Sequence, residues 1–407
     1  MKEKLKALAS SSIGTMLEFY DFTLYGVFSV VIAKLFFPFC TEINSLILSL
    51  AVYATGSFMR PLGGILFGYI GDKYGRRPCL LISILCMAFS TVIIGMLPDY
   101  SYIGIFAPIL LLMCRLIQGL SAGGEFNNAC IFAMEHVETE RYGFIGSLIV
   151  ASGTVGTLCA MSIGALVTLP SMPTWGWRIP FLLGCCVSIA GFYIRHRTTE
   201  SPGFVKGKQS GFLKSYFKKI FPQYKVAFFK TVGIAAFASS LAFTVFNYIN
   251  IYLNKHIGLP TSYSMFLNTW GLILFVILTP CMGWLSDKIK ASKIMTFSAV
   301  TTFLSIYPIY LLLSSGNLWS ILFAQLWLVL LSSSFSGSMN ALLITFFPMN
   351  IRCTGISFGF TVGVAIFGGT MPLISSFLIS KTDNLLSPSF YMMFCSVIAL
   401  LALKKRI

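Results

Sequence analysis

The chain has 407 residues, of which 56% are hydrophobic and only 10% are charged. Soluble domains carry about 25% charged residues, so no water-soluble fold could bury this much apolar surface, and lipid is expected to surround most of the chain. The formal net charge is +16. Because the basic residues lie in short loops between apolar runs, this excess indicates contact with an anionic membrane surface and argues against nucleic-acid binding.

Twelve apolar runs are long enough, at about 20 residues, to cross a bilayer as helices. The predicted spans are residues 11–37, 44–71, 79–97, 102–133, 142–168, 178–195, 226–253, 262–286, 293–313, 317–346, 353–380 and 388–403. Basic residues concentrate in alternate connections, whereas the connections on the other side hold only Lys255 and Lys381. The sequence therefore predicts an all-α integral membrane protein with twelve transmembrane helices and with both termini in the cytoplasm.

The first predicted span contains two acids, Glu18 and Asp21. An ionised side chain inside a bilayer is costly unless it is paired or hydrated, so each one requires a reason. The two acids are three residues apart and share a helix face, where their mutual repulsion favours retention of a proton. We interpret both as proton-coupling residues and prefer Asp21, which lies deeper in the span. The alternative is that they only neutralise a buried arginine.

Two arginines lie well inside predicted spans, Arg60 in the second and Arg115 in the fourth. A guanidinium in such a place can hold a substrate carboxylate in a bidentate fork. We predict that both bind substrate, together with Asp21 and with Tyr25, which lies one turn further along the first span. The alternative is that the arginines only neutralise the acids of the first and fourth spans.

A glycine-rich charged segment follows the second span, Gly68-Tyr-Ile-Gly71-Asp72-Lys73-Tyr-Gly75-Arg76-Arg77. Its glycines permit a tight turn, and Asp72 and the arginines can pair with an acid at the inner end of the fourth span, such as Glu135. A charge cluster of this kind would hold one access state and break in the other. We predict that Asp72, Arg76, Arg77 and Glu135 form a gate and do not bind substrate.

The fourth span continues into Gly119-Leu-Ser-Ala-Gly123-Gly124-Glu125, where the small residues allow close helix packing. Glu125 follows Arg115 by ten residues, about 15 Å along a regular helix, so the two side chains are not expected to meet. Glu125 is predicted to act in proton coupling, either as a proton relay or at an inner gate; the sequence does not choose between them.

The longest basic connection, residues 196–225, separates six spans from six and predicts a cytoplasmic linker between an N-terminal bundle (1–195) and a C-terminal bundle (226–407). The two halves share sequence features. Asp72 and its glycines recur after the eighth span as Gly283-Trp-Leu-Ser-Asp287-Lys288, and Arg141-Tyr-Gly143 recurs as Arg352-Cys-Thr-Gly355. These matches predict two pseudo-symmetric six-helix bundles and add Asp287 to the gate.

The sequence gives no indication of a metal or of enzymatic chemistry. The 11 cysteines lie mostly in apolar segments, without CxxC or His/Cys spacing. The three histidines fall in predicted loops, and no Ser/His/Asp constellation lies within a span. We predict no metal site, no cofactor and no enzymatic activity.

Several motifs resemble one transporter family. They are Gly14-Thr-Met-Leu-Glu18-Phe-Tyr-Asp21-Phe-Thr-Leu-Tyr25-Gly26, Arg60-Pro-Leu-Gly-Gly64, Arg115-Leu-Ile-Gln-Gly119-Leu-Ser-Ala-Gly-Gly-Glu125 and Trp175-Gly-Trp-Arg178-Ile-Pro180-Phe, together with the segment around Asp72. The chain resembles the major facilitator superfamily, and within it the metabolite:proton symporters, which include proline/glycine-betaine and α-ketoglutarate carriers. The resemblance implies two six-helix bundles that rock around a central site, with uptake driven by the proton gradient.

The expected function is therefore proton-coupled import of a small carboxylate-bearing solute. Both charge signs in the predicted cavity favour a zwitterion such as proline or betaine, with a dicarboxylate such as α-ketoglutarate next. The alternatives are a solute exchanger or multidrug antiporter, or a membrane nutrient sensor without transport. The expected partners are the solute, protons and the lipid of a bacterial inner membrane, and a monomer is expected.

Overall fold

The computed structural model describes residues 2–169, 171–206 and 213–404, and in these ranges the regular structure is helical, without strands. Helices are required because hydrocarbon offers no hydrogen-bond partner, so backbone groups must be satisfied within their own segment. The helices are α1 (Lys2–Val27), α2 (Ser29–Phe36), α3 (Glu42–Lys73), α4 (Arg76–Met96), α5 (Tyr100–Ile103), α6 (Phe106–Glu135), α7 (Tyr142–Val167), α8 (Ile179–His196), α9 (Pro202–Lys206), α10 (Leu213–Phe243), α11 (Ile249–Lys255), α12 (Thr261–Ile289), α13 (Ala291–Ser314), α14 (Leu318–Leu343), α15 (Arg352–Gly363), α16 (Met371–Thr382) and α17 (Pro388–Leu403).

Ten helical segments of the described ranges are long and apolar enough to cross a membrane, and the pair α1 and α2 makes an eleventh. The last predicted span is α17, which has 16 residues. At 1.5 Å per residue it covers about 24 Å, less than the roughly 30 Å hydrocarbon core, so it falls short by length alone. The predicted all-α membrane fold is confirmed, with this shortest span as its weakest member.

Three predicted spans are not continuous α-helices. The first bends by 62° between α1 and α2, at Phe28. The seventh contains the π-helical turn Thr244–Tyr248 between α10 and α11, and the eleventh contains the π-helical turn Val364–Gly368 before α16. No proline lies at Phe28 or in the first π-helical turn, whereas Pro372 follows the second one at the start of α16 and cannot donate a backbone hydrogen bond to Gly368.

The chain divides into two compact units. The first comprises Met1–His136, Ser152–Gly211 and Met349–Phe358, and the second comprises Val137–Ala151, Phe212–Pro348 and Gly359–Ile407. The predicted division into 1–195, 196–225 and 226–407 stays a prediction. Within the predicted linker, α9 and the start of α10 are helical, and residues 207–212 lie outside the described residues.

In the first unit, glycines allow α3 and α6 to pack backbone against backbone. A Cβ added at Gly119 would collide with the carbonyl of Gly56, and one added at Gly123 would collide with the carbonyl of Arg60. The close packing predicted from this small-residue run is therefore confirmed. It fixes Arg60 and Arg115, one on each helix, in the same region of the unit.

The sequence repeat extends to backbone conformation. Gly75 precedes α4 with a φ of 119°, and Lys290 precedes α13 with a φ of 88°. These residues are 215 positions apart, the same offset as Asp72 and Asp287. A positive φ is natural for glycine but strained for lysine, which indicates that the second copy keeps the turn geometry of the first.

Candidate functional site

The two acids of α1 are buried and point to different partners. Glu18 and Asp21 are each 1% exposed. Oε1 of Glu18 lies 3.3 Å from Nη2 of Arg60 on α3. Oδ2 of Asp21 accepts a 2.6 Å hydrogen bond from the hydroxyl of Thr91 on α4. Residues three apart differ by about 60° around a helix, and this rotation directs the two carboxylates to different helices.

Asp21 is connected to Arg115 through two neutral side chains. The Thr91 hydroxyl accepts a 2.8 Å hydrogen bond from Nε2 of Gln118, whose Oε1 accepts a 2.8 Å bond from Nη1 of Arg115. All four side chains are at most 1% exposed. Thr91 and Gln118 were not predicted, because a neutral polar residue in an apolar span carries no charge that demands a partner.

Aromatic rings surround the guanidinium of Arg115. Its Cζ lies 4.6 Å from the ring centres of Phe22 and Tyr25 and 5.1 Å from that of Tyr53. Tyr25 and Tyr53 stack with 5.7 Å between ring centres. Attraction to the ring faces replaces part of the hydration that the guanidinium loses on burial. The predicted substrate residues Tyr25 and Arg115 are thus in contact.

Arg60 belongs to the same cluster but is less buried. Its Cζ lies 4.2 Å from the ring centre of Phe22, so Phe22 contacts both guanidiniums. The Arg60 side chain is 20% exposed. Its pairing with Glu18 realises the neutralising alternative considered for both residues. Arg115, by contrast, contacts neutral groups.

Four polar atoms of this cluster are buried without a hydrogen-bond partner among the described residues. They are Oε2 of Glu18, Oδ1 of Asp21 and Nε of Arg60 and Arg115. Buried polar atoms are nearly always paired, so unpaired ones indicate positions for a proton, water or ligand. The cluster retains both donors and acceptors for that purpose.

Glu125 has a charged partner that sequence reasoning missed. Nη1 of Arg195 lies 3.2 Å from its Oε2, Nη2 donates to Oε1, and the Ser83 hydroxyl also donates to the carboxylate. Arg195, the last residue of the predicted sixth span, had no predicted role; it is 1% exposed near the end of α8. The missed signal is the spacing of Gly184, Ser188, Gly191 and Arg195, which places them on one helix face.

Asp72 accepts hydrogen bonds from the start of α15. The backbone N–H groups of Cys353 and Thr354 lie 3.0 and 2.9 Å from its oxygens, and the Thr354 hydroxyl lies at 2.7 Å. N–H groups in a first helical turn have no partner within the helix, and the helix dipole favours an anion there. Asp72 therefore caps α15 and also lies 3.8 Å from Nη1 of Arg76.

Arg76 pairs with Glu135, as predicted. Its Nε and Nη2 lie 3.2 and 3.3 Å from the two oxygens of Glu135. Glu135 also accepts a 2.9 Å bond from Nη1 of Arg352 and a bond from the Ser201 hydroxyl. One buried carboxylate thus joins two guanidiniums with the segment that leads into α9.

Arg77 takes a different position from Arg76. Its guanidinium donates to the backbone carbonyls of Arg195, at 3.2 Å, and His196. The backbone N–H groups of Arg76 and Arg77 donate to the carboxylate of Glu200, which caps α4. Glu200, the single acid of the predicted linker, had no predicted role.

In the second unit, Asp287 repeats the arrangement of Asp72. It lies in the last turn of α12, not in a loop as predicted, and accepts 2.6 and 2.9 Å hydrogen bonds from the backbone N–H groups of Gly143 and Phe144 at the start of α7. The pseudo-symmetry predicted from the repeat thus extends to the hydrogen bonds of these two aspartates.

Within the part of the chain that the structure describes, no group of three or more His, Cys, Asp or Glu residues is placed to hold a metal ion. The buried acids Glu18, Asp21, Asp72, Glu125 and Glu135 instead contact guanidiniums, hydroxyls or backbone N–H groups.

Comparisons with known proteins agree with this architecture. The model of the Major Facilitator Superfamily matches residues 11–348. The proline/betaine transporter of Escherichia coli strain K12 is 31% identical over 97% of this chain and 82% of its own length. The glycine betaine/proline/ectoine/pipecolic acid transporter OusA of Dickeya dadantii strain 3937 is 30% identical over 97% of this chain and 82% of its own length.

Among solved structures, the proton:xylose symporter XylE bound to 6-bromo-6-deoxy-D-glucose superposes with a TM-score of 0.81, covering 99% of this chain and 94% of that one. At 15% identity this likeness concerns the fold alone. The family model and the relatives that match 97% of this chain confirm the resemblance inferred from the motifs, and the chain belongs to the major facilitator superfamily, as a multi-pass membrane transporter and not an enzyme.

Proposed function

We propose that the protein imports a small zwitterion of the proline/betaine type together with protons. The observation that carries this proposal is the pair Asp21 and Arg115, both fully buried and joined through neutral side chains rather than by direct contact. Such an arrangement leaves the acid free to exchange a proton and the guanidinium free to bind a carboxylate. The similarity of 97% of this chain to a proline/betaine transporter supports the choice of solute.

The environment of the two arginines favours one substrate carboxylate over two. Arg60 is occupied by Glu18 at 3.3 Å, so a second carboxylate would have to displace that acid. Arg115 lies among the rings of Phe22, Tyr25 and Tyr53, whose faces attract a substituted ammonium as they attract a guanidinium. A solute with one carboxylate and one ammonium group matches this set better than a dicarboxylate does.

Asp21 is the proposed proton carrier among the three candidate acids. Its Oδ1 is unpaired, and Oδ2 accepts only a hydroxyl. Glu18 faces Arg60, and Glu125 is held by two guanidinium nitrogens of Arg195, so each of these carboxylates already has a cationic partner. Glu18 is proposed to hold Arg60 in place, and Glu125 to act at the inner gate rather than as a proton relay.

The gate is proposed to comprise Asp72, Arg76, Arg77, Glu135 and Asp287. Asp72 and Asp287 cap the first turns of α15 and α7, and Glu135 joins Arg76 to Arg352. These bonds are short, charged and made to the ends of helices, so they can form and break as a unit. Their rupture and re-formation is the proposed switch between access states.

The remaining features are proposed on the basis of sequence and family. We place the protein in the bacterial inner membrane with both termini in the cytoplasm, organised as bundles 1–195 and 226–407 around the linker 196–225. It is proposed to act as a monomer, with the proton gradient as its energy source and without a cofactor. Lys405 and Arg406, which support the position of the C-terminus, lie outside the described residues.

The decisive experiment is uptake into proteoliposomes. Purified protein is reconstituted, and accumulation of labelled proline, glycine betaine, α-ketoglutarate and citrate is measured with and without an imposed pH gradient. We expect gradient-driven accumulation of proline or betaine and its loss in Asp21→Asn. Accumulation that is independent of the gradient and undiminished in Asp21→Asn would exclude symport.

The same assay separates the alternatives. Uptake that requires a counter-solute inside the vesicles would indicate an exchanger, and gradient-driven export of hydrophobic cations would indicate a multidrug antiporter. Binding of proline or betaine without any flux would indicate a sensor. Preference for α-ketoglutarate would show that Arg60 leaves Glu18 to hold a second carboxylate.

A further inference from the structure

The side chains that separate Asp21 from Arg115 form an ordered hydrogen-bonded chain. Arginine can only donate, so the atom of Gln118 that faces Arg115 must be its carbonyl oxygen. The amide nitrogen of Gln118 then faces Thr91, whose oxygen accepts. The single hydroxyl proton of Thr91 is left to point at Asp21 Oδ2, 2.6 Å away. The guanidinium at one end therefore sets the direction of every bond to the carboxylate at the other.

We propose that Thr91 and Gln118 are positioning residues that couple protonation of Asp21 to solute binding at Arg115, an inference that rests on the proposed function. Neither residue needs to contact the solute. Their hydrogen bonds fix the position of the Arg115 guanidinium while Asp21 is ionised. These bonds become weaker once Asp21 is neutral.

The proton that neutralises Asp21 is proposed to bind at its Oδ1 atom. Oδ1 of Asp21 is buried without a hydrogen-bond partner among the described residues and faces Gly184 of α8, where an added Cβ would lie only 3.5 Å away. A proton taken from water and bound at Oδ1 leaves the bond from Thr91 to Oδ2 in place but removes its negative charge. Hydrogen bonds to a charged acceptor are about twice as strong as neutral ones, so the chain weakens from this end.

When the hydrogen bond from Thr91 to Asp21 weakens, the bond between Gln118 and Arg115 weakens too, because each member of a hydrogen-bonded chain polarises the next. With the aspartate ionised, the amide oxygen of Gln118 is a better acceptor and retains Nη1 of Arg115. With the aspartate neutral, that nitrogen is released to a solute carboxylate. Linkage requires the reverse as well, so a bound carboxylate favours protonation of Asp21, as symport demands.

Other titratable groups near this hydrogen-bonded chain do not account for a pH dependence of solute binding. The titratable groups facing its members are Glu18, Tyr20 and Tyr25 on α1, Tyr53 and Arg60 on α3, and Glu125 on α6, which pairs with Arg195 of α8. Tyrosine and arginine keep their protons between about pH 6 and pH 8. Glu18 and Glu125 are each already paired with an arginine, Arg60 and Arg195 respectively. Asp21 is the acid without such a partner.

The test is equilibrium binding of labelled proline and glycine betaine to protein in lipid nanodiscs at about pH 6 and about pH 8. For the wild type we expect weaker binding at the higher pH, by about fivefold or more. Thr91→Val removes the hydroxyl at nearly constant volume, so this ratio should fall towards one. Thr91→Ser restores the hydroxyl and should restore the ratio.

Two further variants keep the test informative if Thr91→Val fails to fold. Gln118→Leu cuts the chain at its second member and should flatten the pH dependence in the same way. Glu18→Gln should leave it intact. The matched control is Thr302→Val in α13, where a fully buried threonine donates only to a carbonyl of its own helix, at 2.8 Å. It should behave as the wild type.

The possible results distinguish a failure of the Thr91–Gln118 coupling from a failure of the proposed proton-coupled import. If the wild type accumulates proline or betaine with the gradient but Thr91→Val and Gln118→Leu keep the full pH dependence of binding, the coupling chain is wrong and symport stands. If Glu18→Gln abolishes the pH dependence, the proton resides on Glu18 and the chain is again wrong. If the wild type neither binds nor accumulates these solutes, the proposed function fails and the coupling chain with it.

Discussion

Asp72 and Asp287, which are 215 residues apart, make the same kind of contact. Each accepts two hydrogen bonds from backbone N–H groups in the first turn of a helix that is distant in sequence. Asp72 caps α15, and Asp287 caps α7. The arrangement is not fully symmetric, since Asp72 is only 4% exposed and accepts a third bond from the Thr354 hydroxyl. The two aspartates should therefore contribute unequally to gating.

Replacing each aspartate by asparagine tests this inequality. Asparagine cannot accept charge-assisted bonds at both side-chain atoms and turns one N–H₂ towards backbone N–H groups. Bonds to a charged group contribute about 1.5–3 kcal/mol each. We expect Asp72→Asn to lower the initial rate of proteoliposome uptake about tenfold or more and Asp287→Asn to lower it less. Equal losses in two well-folded variants would contradict the ranking.

The Glu125–Arg195 pair should contribute to stability more than to proton coupling. Removing one member of a buried ion pair costs about 3–5 kcal/mol, because the other charge remains without a partner. We expect Arg195→Met to lower the melting temperature of the purified protein markedly and the double variant Arg195→Met with Glu125→Gln to recover part of it. A stable Glu125→Gln variant that still equilibrates solute across the membrane but no longer accumulates it with the gradient would instead identify Glu125 as a proton carrier.

The two arginines should differ in solute binding. Arg115→Lys retains the charge but loses the planar fork that contacts Gln118 and the aromatic rings. We expect it to raise the KM for proline or betaine uptake at least about tenfold. Arg60→Lys, whose partner is Glu18, should raise the KM less. A larger effect at Arg60 would place the solute carboxylate there.

Close packing of α3 and α6 is required to assemble the site. Gly123→Ala places a methyl group against the carbonyl of Arg60 and should reduce stability and yield, since backbone cannot give way as a side chain can. Gly26→Ala is the matched control, because no atom lies within 4 Å of an added Cβ there. Comparable melting temperatures for the two variants would show that the helices are not packed this closely.

The strained turn before α13 can be relieved. Lys290 has a φ of 88° and a ψ of 124°, a sparsely populated backbone region that costs about 1–3 kcal/mol for a residue with a side chain. Lys290→Gly should therefore raise the melting temperature slightly, whereas Gly75→Ala at the equivalent turn should lower it, because the added Cβ also meets Glu200. Thermal unfolding in detergent distinguishes the two signs. A lower melting temperature for Lys290→Gly would contradict the conclusion that the backbone at Lys290 is strained.

Much of this fold follows from local sequence. Twenty apolar residues between basic loops predict a spanning helix with little ambiguity, and a buried charge such as Asp21 or Arg115 is conspicuous because hydrocarbon does not tolerate it unpaired. The repeat around Asp72 and Asp287 was equally visible. These features are recognisable because each is determined by a single segment.

What the sequence did not predict depends on pairs of distant segments. Arg195 ends the predicted sixth span beside a basic connection, and only its contact with Glu125 shows that it has a buried partner. Thr91 and Gln118 acquire meaning through Asp21 and Arg115. A neutral polar side chain does not require a charged partner, so its role is not visible in the sequence. Three-dimensional contacts are needed to identify such residues.

The bend at Phe28 has a mechanical consequence for α1. A continuous helix behaves as a stiff rod, so a tilt at one end would be carried to Glu18 and Asp21 along its axis. With a 62° break between α1 and α2, Ser29–Phe36 does not share the axis that carries Glu18 and Asp21. The direction of α2 is therefore set separately from the positions of the two acids beside Thr91 and Arg60.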